Sequence, residues 1–407
     1  MTEVRNPASS GPLASSRIDT LTSLRFFAAL AIVIHHLRDF GFGTPLLEDL
    51  PLDNGVSFFF ILSGFIMFLV HGDMDDASQR KSYLVARIAR IYPLHLVTFV
   101  LLFLLLDGDP GRFGAGESSW LSGVLNVLLL QAWVPVGTVF FGFNSLSWTI
   151  SVEMFFYVAF IGLAIDFRRR WPWALGGSAM LVLALIILSD ALHLANYDDP
   201  MHRVNAAGLL YINPLARLFE FVLGMCVGLA WIAARHFRIN NGLATFAELG
   251  VLVLFVGNAL LVAPVSAWFE KSISASSSVW ISHGGAICLS TALLIFVMAF
   301  QAGLVSALLR LPLLVFLGEI SFSIYLIHQI LLRSYATHLS WFSGIPAAAT
   351  LALYFAVLLA ASTLLWRFVE LPARHSIRRA YARRVGSGGE KRAIEPATEP
   401  PIAARIE

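Results

Sequence analysis

Ten stretches of this chain are apolar for about as long as a helix needs to cross a bilayer, roughly 20 residues. They run, with soft edges, over residues 20–39, 55–71, 91–107, 146–166, 172–190, 208–233, 246–264, 280–300, 313–332 and 346–367. Composition agrees with that reading. Of 407 residues 57% are hydrophobic and 13% charged, with a mean hydropathy of +0.75. Soluble domains carry about 25% charged residues. The expected fold is therefore an all-α integral membrane protein, a bundle of about ten transmembrane helices, and not a globular enzyme with a large core.

An eleventh apolar run, 119–137, is short and is interrupted by Asn126, Gln131 and Pro135. Loop charges decide whether it crosses, because cytoplasmic loops are rich in Lys and Arg. The basic groups are Arg80, Lys81, Arg87 and Arg90; Arg168, Arg169 and Arg170; Arg235 and Arg238; and a tail with Arg374, Arg378, Arg379, Arg383, Arg384, Lys391 and Arg392. With the N-terminus inside, a full crossing by 119–137 sends residues 168–170 and the tail outside. If that run dips in and returns, or lies on the outer surface, every basic group falls inside. The prediction is ten spans, both termini cytoplasmic, and a structured outer segment over about 107–145, between the third and fourth spans. The membrane is taken to be the cytoplasmic (inner) membrane.

Three divisions follow: a polar N-terminal tail (1–16), a transmembrane domain (17–374), and a tail (375–407) that is basic and then, beyond residue 386, rich in Gly, Ser, Glu and Pro and expected to be disordered. Residues 1–16 lack the apolar core of a cleavable signal peptide, so the first helix is expected to serve as its own insertion signal. No internal repeat is visible. The net charge of +2 comes with no separate basic block, which gives no reason to expect a nucleic-acid partner. Cys226 and Cys288 lie inside apolar runs and read as small buried hydrophobes, not as a disulfide or metal framework.

Ionisable groups within spans are costly and usually functional. In RFFAALAIVIHH (25–36), Arg25 and His36 are eleven residues apart. That is about 20° beyond three full helical turns, so both fall on one face, about 16–17 Å apart along the axis. His35 is turned about 100° from His36 and reads as a bystander. The alternative is a snorkelling Arg25 and an interfacial His36. Glu153, in SLSWTISVEMFFY (145–157), sits about two turns into its span. A carboxylate there must be paired, protonated or in a wet cavity. Trp148, at the start of the same span, suits the aromatic belt of a membrane interface. Arg87 and Arg90 share a helix face, and two guanidiniums so placed suit a phosphate group or ordinary cytoplasmic anchoring. In LGEISFSIYLIHQ (317–329), Glu319 falls toward the inner end, with Tyr325 and His328 further out. Glu220, in PLARLFEFVLGM (214–225), and His328 also suit polar contacts between helices.

Taken together these stretches resemble membrane acyltransferase family 3, bacterial integral-membrane proteins that O-acylate surface sugars. The resemblance runs from Arg17 to about Arg374. Arg25, ten residues and His36 resemble the family's Arg-x10-His signature. NGVSFFFILSGFIM (54–67), which contains Ser63, resembles its second-helix block, often GVDLFFVLSGF, with Ser57 in place of the aspartate. Arg87-x-x-Arg90 resembles its paired arginines. WTISVEMFFY (148–157) resembles its WSLSVEEQFY block; Trp148, Glu153 and Tyr157 match, while Met154 and Phe155 replace Glu and Gln. The 317–329 stretch resembles a block near the domain's end. The chain is expected to be the stand-alone type, without the esterase-like domain fused in some members.

The resemblance implies an O-acyltransferase that moves an acyl group, acetyl by analogy, from cytoplasmic acyl-CoA to a hydroxyl of an extracytoplasmic glycan. In that scheme Arg87 and Arg90 hold the CoA phosphates, and Arg25 steadies the pantetheine or the thioester. His36 is the general base, its ordinary pKa near 6.5 suiting the work. Glu153 orients the imidazole as the acid of a triad does. An acyl-histidine intermediate is a variant. Ser63, Trp148, Tyr157, Glu220, Glu319, Tyr325 and His328 are supporting candidates, and no metal is required. Expected partners are membrane lipids, acyl-CoA and a glycan or glycosylated acceptor. A proton-coupled exporter is the rival class, an accessory membrane subunit a third, and a small glycosylated metabolite such as a macrolide an alternative acceptor.

Overall fold

The computed structural model describes residues 17–43, 50–72, 74, 77–106, 119–196, 203–237 and 239–386. The polar stretch 1–16, most of the 107–119 loop, Arg238, and the tail from 387 with Lys391, Arg392 and its expected disorder lie outside the described residues. Among the described residues nine helical stretches are long and apolar enough to span, or ten if one bent pair counts as a single broken span.

The helices are α1 (Asp19–Leu37), α2 (Gly55–His71), α3 (Ala77–Leu105), α4 (Trp120–Val127), α5 (Trp148–Leu163), α6 (Phe167–Ala191), α7 (Pro214–Ala234), α8 (Asn241–Ser272), α9 (Ala275–Ser282), α10 (Cys288–Met298), α11 (Leu304–Leu309), α12 (Pro312–Thr337), α13 (Ala347–Leu365) and α14 (Leu371–Gly386). Polar residues define their starts. Asn213 accepts from the Leu215 amide ahead of Pro214, Asn240 caps α8, and Ser274 with Ser277 forms a capping box on α9, satisfying amides that a helix start leaves unpaired.

Three expected boundaries move. The third span begins at Ala77 and not near residue 91, so Arg87 and Arg90 lie inside a continuous helix. The span expected at 280–300 is the broken pair α9 and α10, bent by 52°. The last span does not stop at 367: α13 passes through a wide turn, Trp366–Glu370, into α14. The division placed at 374 thus cuts a continuous helix.

Residues 119–147 do not cross. α4 lasts eight residues, the chain reverses at Leu129 in a left-handed conformation (φ 57°), and short turns lead to α5. The polar residues that interrupt the apolar run are what fold it back. The Asn126 amide donates to Gly142 O and Ser147 Oγ, both at 3.1 Å, and Gln131 donates to Ser147 Oγ at 3.0 Å. His95 bonds Asn126 O at 3.0 Å, and Tyr92 donates to Val127 O at 2.8 Å. Each of these side chains finds at least one partner inside the fold, as buried polar side chains usually do.

Glycines set the closest helix crossings: Gly64 and Gly224 between α2 and α7, and Gly318 of α12 against α1, where a Cβ would lie 1.9 Å from Thr22 O. A Cβ on Gly64 of α2 would lie 1.9 Å from Phe221 O on α7, and a Cβ on Gly224 would lie 1.9 Å from Ile61 O. Small residues let membrane helices approach backbone to backbone, where dispersion holds them together. Around the α2–α7 crossing, Phe60, Phe156, Phe160, Phe221 and Trp148 build an aromatic core. α1 packs beside α12 and α2, and α12 beside α13. With ten spans in alternation, Arg17, Arg87, Arg168 and Arg235 and helix α14 gather at one end, and the 119–147 segment at the other.

Candidate functional site

α1 is one uninterrupted helix that carries Arg25 near one end and His36 near the other. Both side chains are partly exposed, as are Arg87, Arg90 and Glu153, although all five lie within spans. Two polar clusters result, one at each end of α1.

At the far end His36 meets α12. Its Nδ1 is 2.9 Å from Ile32 O and 3.2 Å from His328 Nε2. His328 is fully buried, and its own Nδ1 lies 2.7 Å from Tyr325 O. The turn that carries it is held from three sides. Tyr354 donates to His328 O at 3.2 Å, Asn144 donates to Leu326 O at 3.1 Å, and Ser145 bonds Gln329. His35 turns away toward Arg38, with which it shares a side-chain contact and a 3.2 Å bond from Arg38 Nε to His35 O.

At the near end Glu153 accepts from Tyr157 at 2.7 Å and from Ser63 at 3.3 Å. The Arg87 guanidinium lies over the rings of Tyr83 (5.8 Å) and Tyr157 (5.9 Å), in cation–π range. Arg25 feels the charges of Arg90, Glu370 and Glu153, and Glu370 in turn faces Arg90, Arg25 and Arg374. Four buried polar atoms here have no hydrogen-bond partner among the described residues: Arg87 Nε, Tyr83 OH, His71 Nε2 and Glu370 Oε2. The His71 and Tyr83 rings are 4.9 Å apart. Buried polar atoms are seldom left so, and a guanidinium, a phenol and an imidazole together suit an anionic oxygen-rich group such as a phosphate.

The structure thus gathers Arg25, Arg87, Arg90, Glu153, Tyr157 and Ser63 in one cluster and His36 with His328 in another. Tyr325 lies between them on α12, bonded to Thr149 at 2.9 Å. Glu319 pairs with Arg17 at the near end. The triad role expected of Glu153 is corrected: its partners are Tyr157 and Ser63, while His36 bonds His328 and Ile32 O. Trp148 is also corrected, since it is buried against Tyr211 (ring centroids 4.9 Å) and Phe60 and is no interfacial belt residue.

Glu220 is buried and accepts from Cys288 Sγ of α10 at 3.7 Å. It forms a buried ion pair with Arg217 (3.1 Å), and Arg217 also donates to His283 O at 2.7 Å and Ser57 Oγ at 3.0 Å. The carbonyl it reaches is one freed by the break between α9 and α10. There Gly284 has φ +144°, and a Cβ would strike Glu220, Ser57 and Arg217. The serine at 57 fits this role as a neutral partner of an arginine already paired.

Sequence reasoning missed Glu370, His71, Tyr83 and Arg217. Glu370 carried a usable signal, an acid directly after an apolar run, but the last span was ended three residues too early. Arg217 carried one too, a cation ten residues into the apolar run 208–233. His71 and Tyr83 gave none that separates them from ordinary interfacial residues.

A family model described as "Acyltransferase domain" matches residues 18–367. Among curated proteins, acyltransferase MdmB of Streptomyces mycarofaciens is 32% identical over 88% of this chain and 91% of its own length. Exopolysaccharide production protein ExoZ of Rhizobium meliloti (strain 1021) is 28% identical over 84% of this chain and 94% of its own length. Both matches run nearly end to end, so the similarity is to whole proteins and not to one shared segment. No solved structure matches.

Proposed function

Because the chain belongs to this acyltransferase family, and is a multi-pass membrane protein, we propose that it is an acyl-CoA-dependent O-acyltransferase of extracytoplasmic glycans. The acyl group is acetyl, the acceptor an exopolysaccharide or lipid-linked sugar, and the membrane the cytoplasmic (inner) one with both termini inside. The carrying observation is that α1 joins two polar clusters of opposite character across the bundle. The cationic one lies at the end where the basic residues gather, which the positive-inside rule assigns to the cytoplasm. The imidazole pair lies at the other end. ExoZ, by its name, acts in exopolysaccharide production, which favours a sugar acceptor.

In this reading Arg87 and Arg90 bind the phosphates of the donor, with Tyr83 OH and His71 Nε2 completing the contacts that Arg87 Nε leaves open. Arg25 holds the arm that leads outward over the about 16–17 Å between Arg25 and His36. Glu153, anchored by Tyr157 and Ser63, balances the charge of Arg25 and Arg87. The donor supplies an activated thioester carbonyl. His36 takes the proton of the acceptor hydroxyl as its oxygen forms the new ester bond. The C–S bond breaks, and the same proton passes from His36 to the departing thiolate, leaving ester and free CoA thiol.

The test has two arms. Purified protein in proteoliposomes loaded with acetyl-CoA, with exopolysaccharide added outside as the hydroxyl acceptor, is followed for release of CoA thiol. Surface glycans from cells with and without the gene are compared by mass spectrometry. Thiol release, with acetyl esters lost from the glycans when the gene is absent, is the expected result. No thiol release and unchanged glycans would refute the proposal.

A further inference from the structure

We propose that His328 is a positioning residue that fixes which nitrogen of His36 acts as the base; this rests on the reading of His36 given above. The argument starts from a carbonyl, which only accepts. Tyr325 O lies 2.7 Å from His328 Nδ1 and Ile324 O lies 3.3 Å away, so the ring proton of neutral His328 sits on Nδ1. Its Nε2 then carries a lone pair. That lone pair faces His36 Nδ1 at 3.2 Å, and Ile32 O, another pure acceptor, faces the same atom at 2.9 Å. Between two acceptors His36 Nδ1 must carry hydrogen, which leaves the lone pair of His36 on Nε2, the atom free to take a proton.

The two acceptors are not equal. Ile32 O stands one turn back on α1 and also belongs to that helix's own hydrogen-bond ladder. Among the described residues the lone pair on His328 Nε2 has no other partner to serve. It is also held in place: the ring is buried, its Nδ1 is tied to the backbone, and the turn around it is fixed by Tyr354, Asn144 and Ser145. When His36 becomes an imidazolium, this lone pair accepts a stronger, charge-assisted bond from Nδ1. Differential stabilisation of that kind accelerates the reaction, because it exists only once the proton has moved. An imidazole thus fills the place that a carboxylate fills in a triad, and it does so without burying a negative charge.

Packing alone makes a different prediction, and three substitutions separate the two. His328→Leu fills the space without an acceptor. His328→Asn keeps a polar atom near the Nδ1 position but nothing at Nε2. His328→Gln places an amide oxygen near the Nε2 position. The assay is acetyl transfer in detergent to a glycan acceptor, with kcat and the KM for acetyl-CoA measured separately, and each variant repeated in a His36→Ala background. We expect Leu and Asn to lower kcat about ten- to hundredfold with KM unchanged, the scale of losing a hydrogen bond to a charged group. Gln should recover most of the rate, and His328→Leu should cost nothing further once His36 is alanine. Equal losses for Leu, Asn and Gln, a wild-type kcat in His328→Leu, or a further loss in the His36→Ala background would overturn the proposal. Full activity in His36→Ala itself would instead overturn the assignment of His36 as base.

Discussion

Replacing Gly64 by alanine should loosen the bundle by forcing α2 and α7 apart. The new Cβ would lie 1.9 Å from Phe221 O and 3.0 Å from Met225 N, and real Cβ atoms essentially never come within 3.0 Å. The shortfall at the carbonyl exceeds 1 Å. Both clashing atoms are backbone, so no side-chain rotation relieves it, and the helices must separate. A gap of 0.5–1 Å already forfeits about a quarter to a half of each contact's dispersion energy, and dispersion is what holds such crossings in lipid. The cost should sit at the top of the range for overpacking, about 3 kcal/mol. For a chain of this size that is a fall of roughly 3–6 °C in the unfolding midpoint, read by thermal denaturation in detergent. Gly257→Ala is the internal control. It also lies in a long apolar helix, but a Cβ there meets nothing within 4 Å, so it should be neutral or slightly stabilising through helix propensity. If the two alanines shifted the midpoint equally, the reasoning from close approach would be wrong.

His36→Ala should lower transfer by at least about 10²-fold, the usual contribution of a general base, whereas His35→Ala, whose ring turns to Arg38, should cost far less; assays at matched protein level decide between them. Replacing Arg87 and Arg90 together by alanine should weaken acyl-CoA binding about ten- to hundredfold, on the scale of charge-assisted bonds, and the loss should shrink at high salt; unaltered affinity by calorimetry would reduce both to anchors. Glu153→Gln should lower turnover with little change in donor affinity, because the amide keeps the contacts of Tyr157 and Ser63 but not the charge facing Arg25; a large rise in KM would speak against it. A reporter fused after Arg384 should work only as a cytoplasmic fusion, and activity outside would invert the assigned orientation.

The parts of this fold legible in the sequence are those that follow from length and local spacing. A run of about 20 apolar residues has one stable arrangement in lipid, so nine long helices and a broken one could be read directly. The return of residues 119–137 was legible because a full crossing would have put Arg168–Arg170 and the basic tail on the wrong side of the membrane. The shared face of Arg25 and His36 follows from helical geometry alone. What could not be read was which helices meet. His36 and His328 are 292 positions apart, and no local pattern pairs them. Hence Glu153, the acid closest in kind to a triad member, was expected beside His36, where the structure has His328. Glu370 was lost for a different reason: α13 continues past the point where its apolar stretch ends, and hydropathy marks where lipid stops, not where a helix does.

The uninterrupted run of α1 from Arg25 to His36 fixes their relation by spacing. Losing or gaining one residue between them would swing His36 by about 100° and slide it by 1.5 Å, away from its fixed neighbour on α12. A seven-residue insertion would return it to about the same bearing but displace it by roughly 10 Å. No short indel restores both angle and height. Lipid-facing positions such as Phe27 can drift among apolar residues, while the number of residues in the interval cannot. Lineages descended from this chain should therefore vary among apolar residues at the lipid-facing positions between Arg25 and His36, less at the buried Ala29, Ile32 and Val33, and not at all in their count.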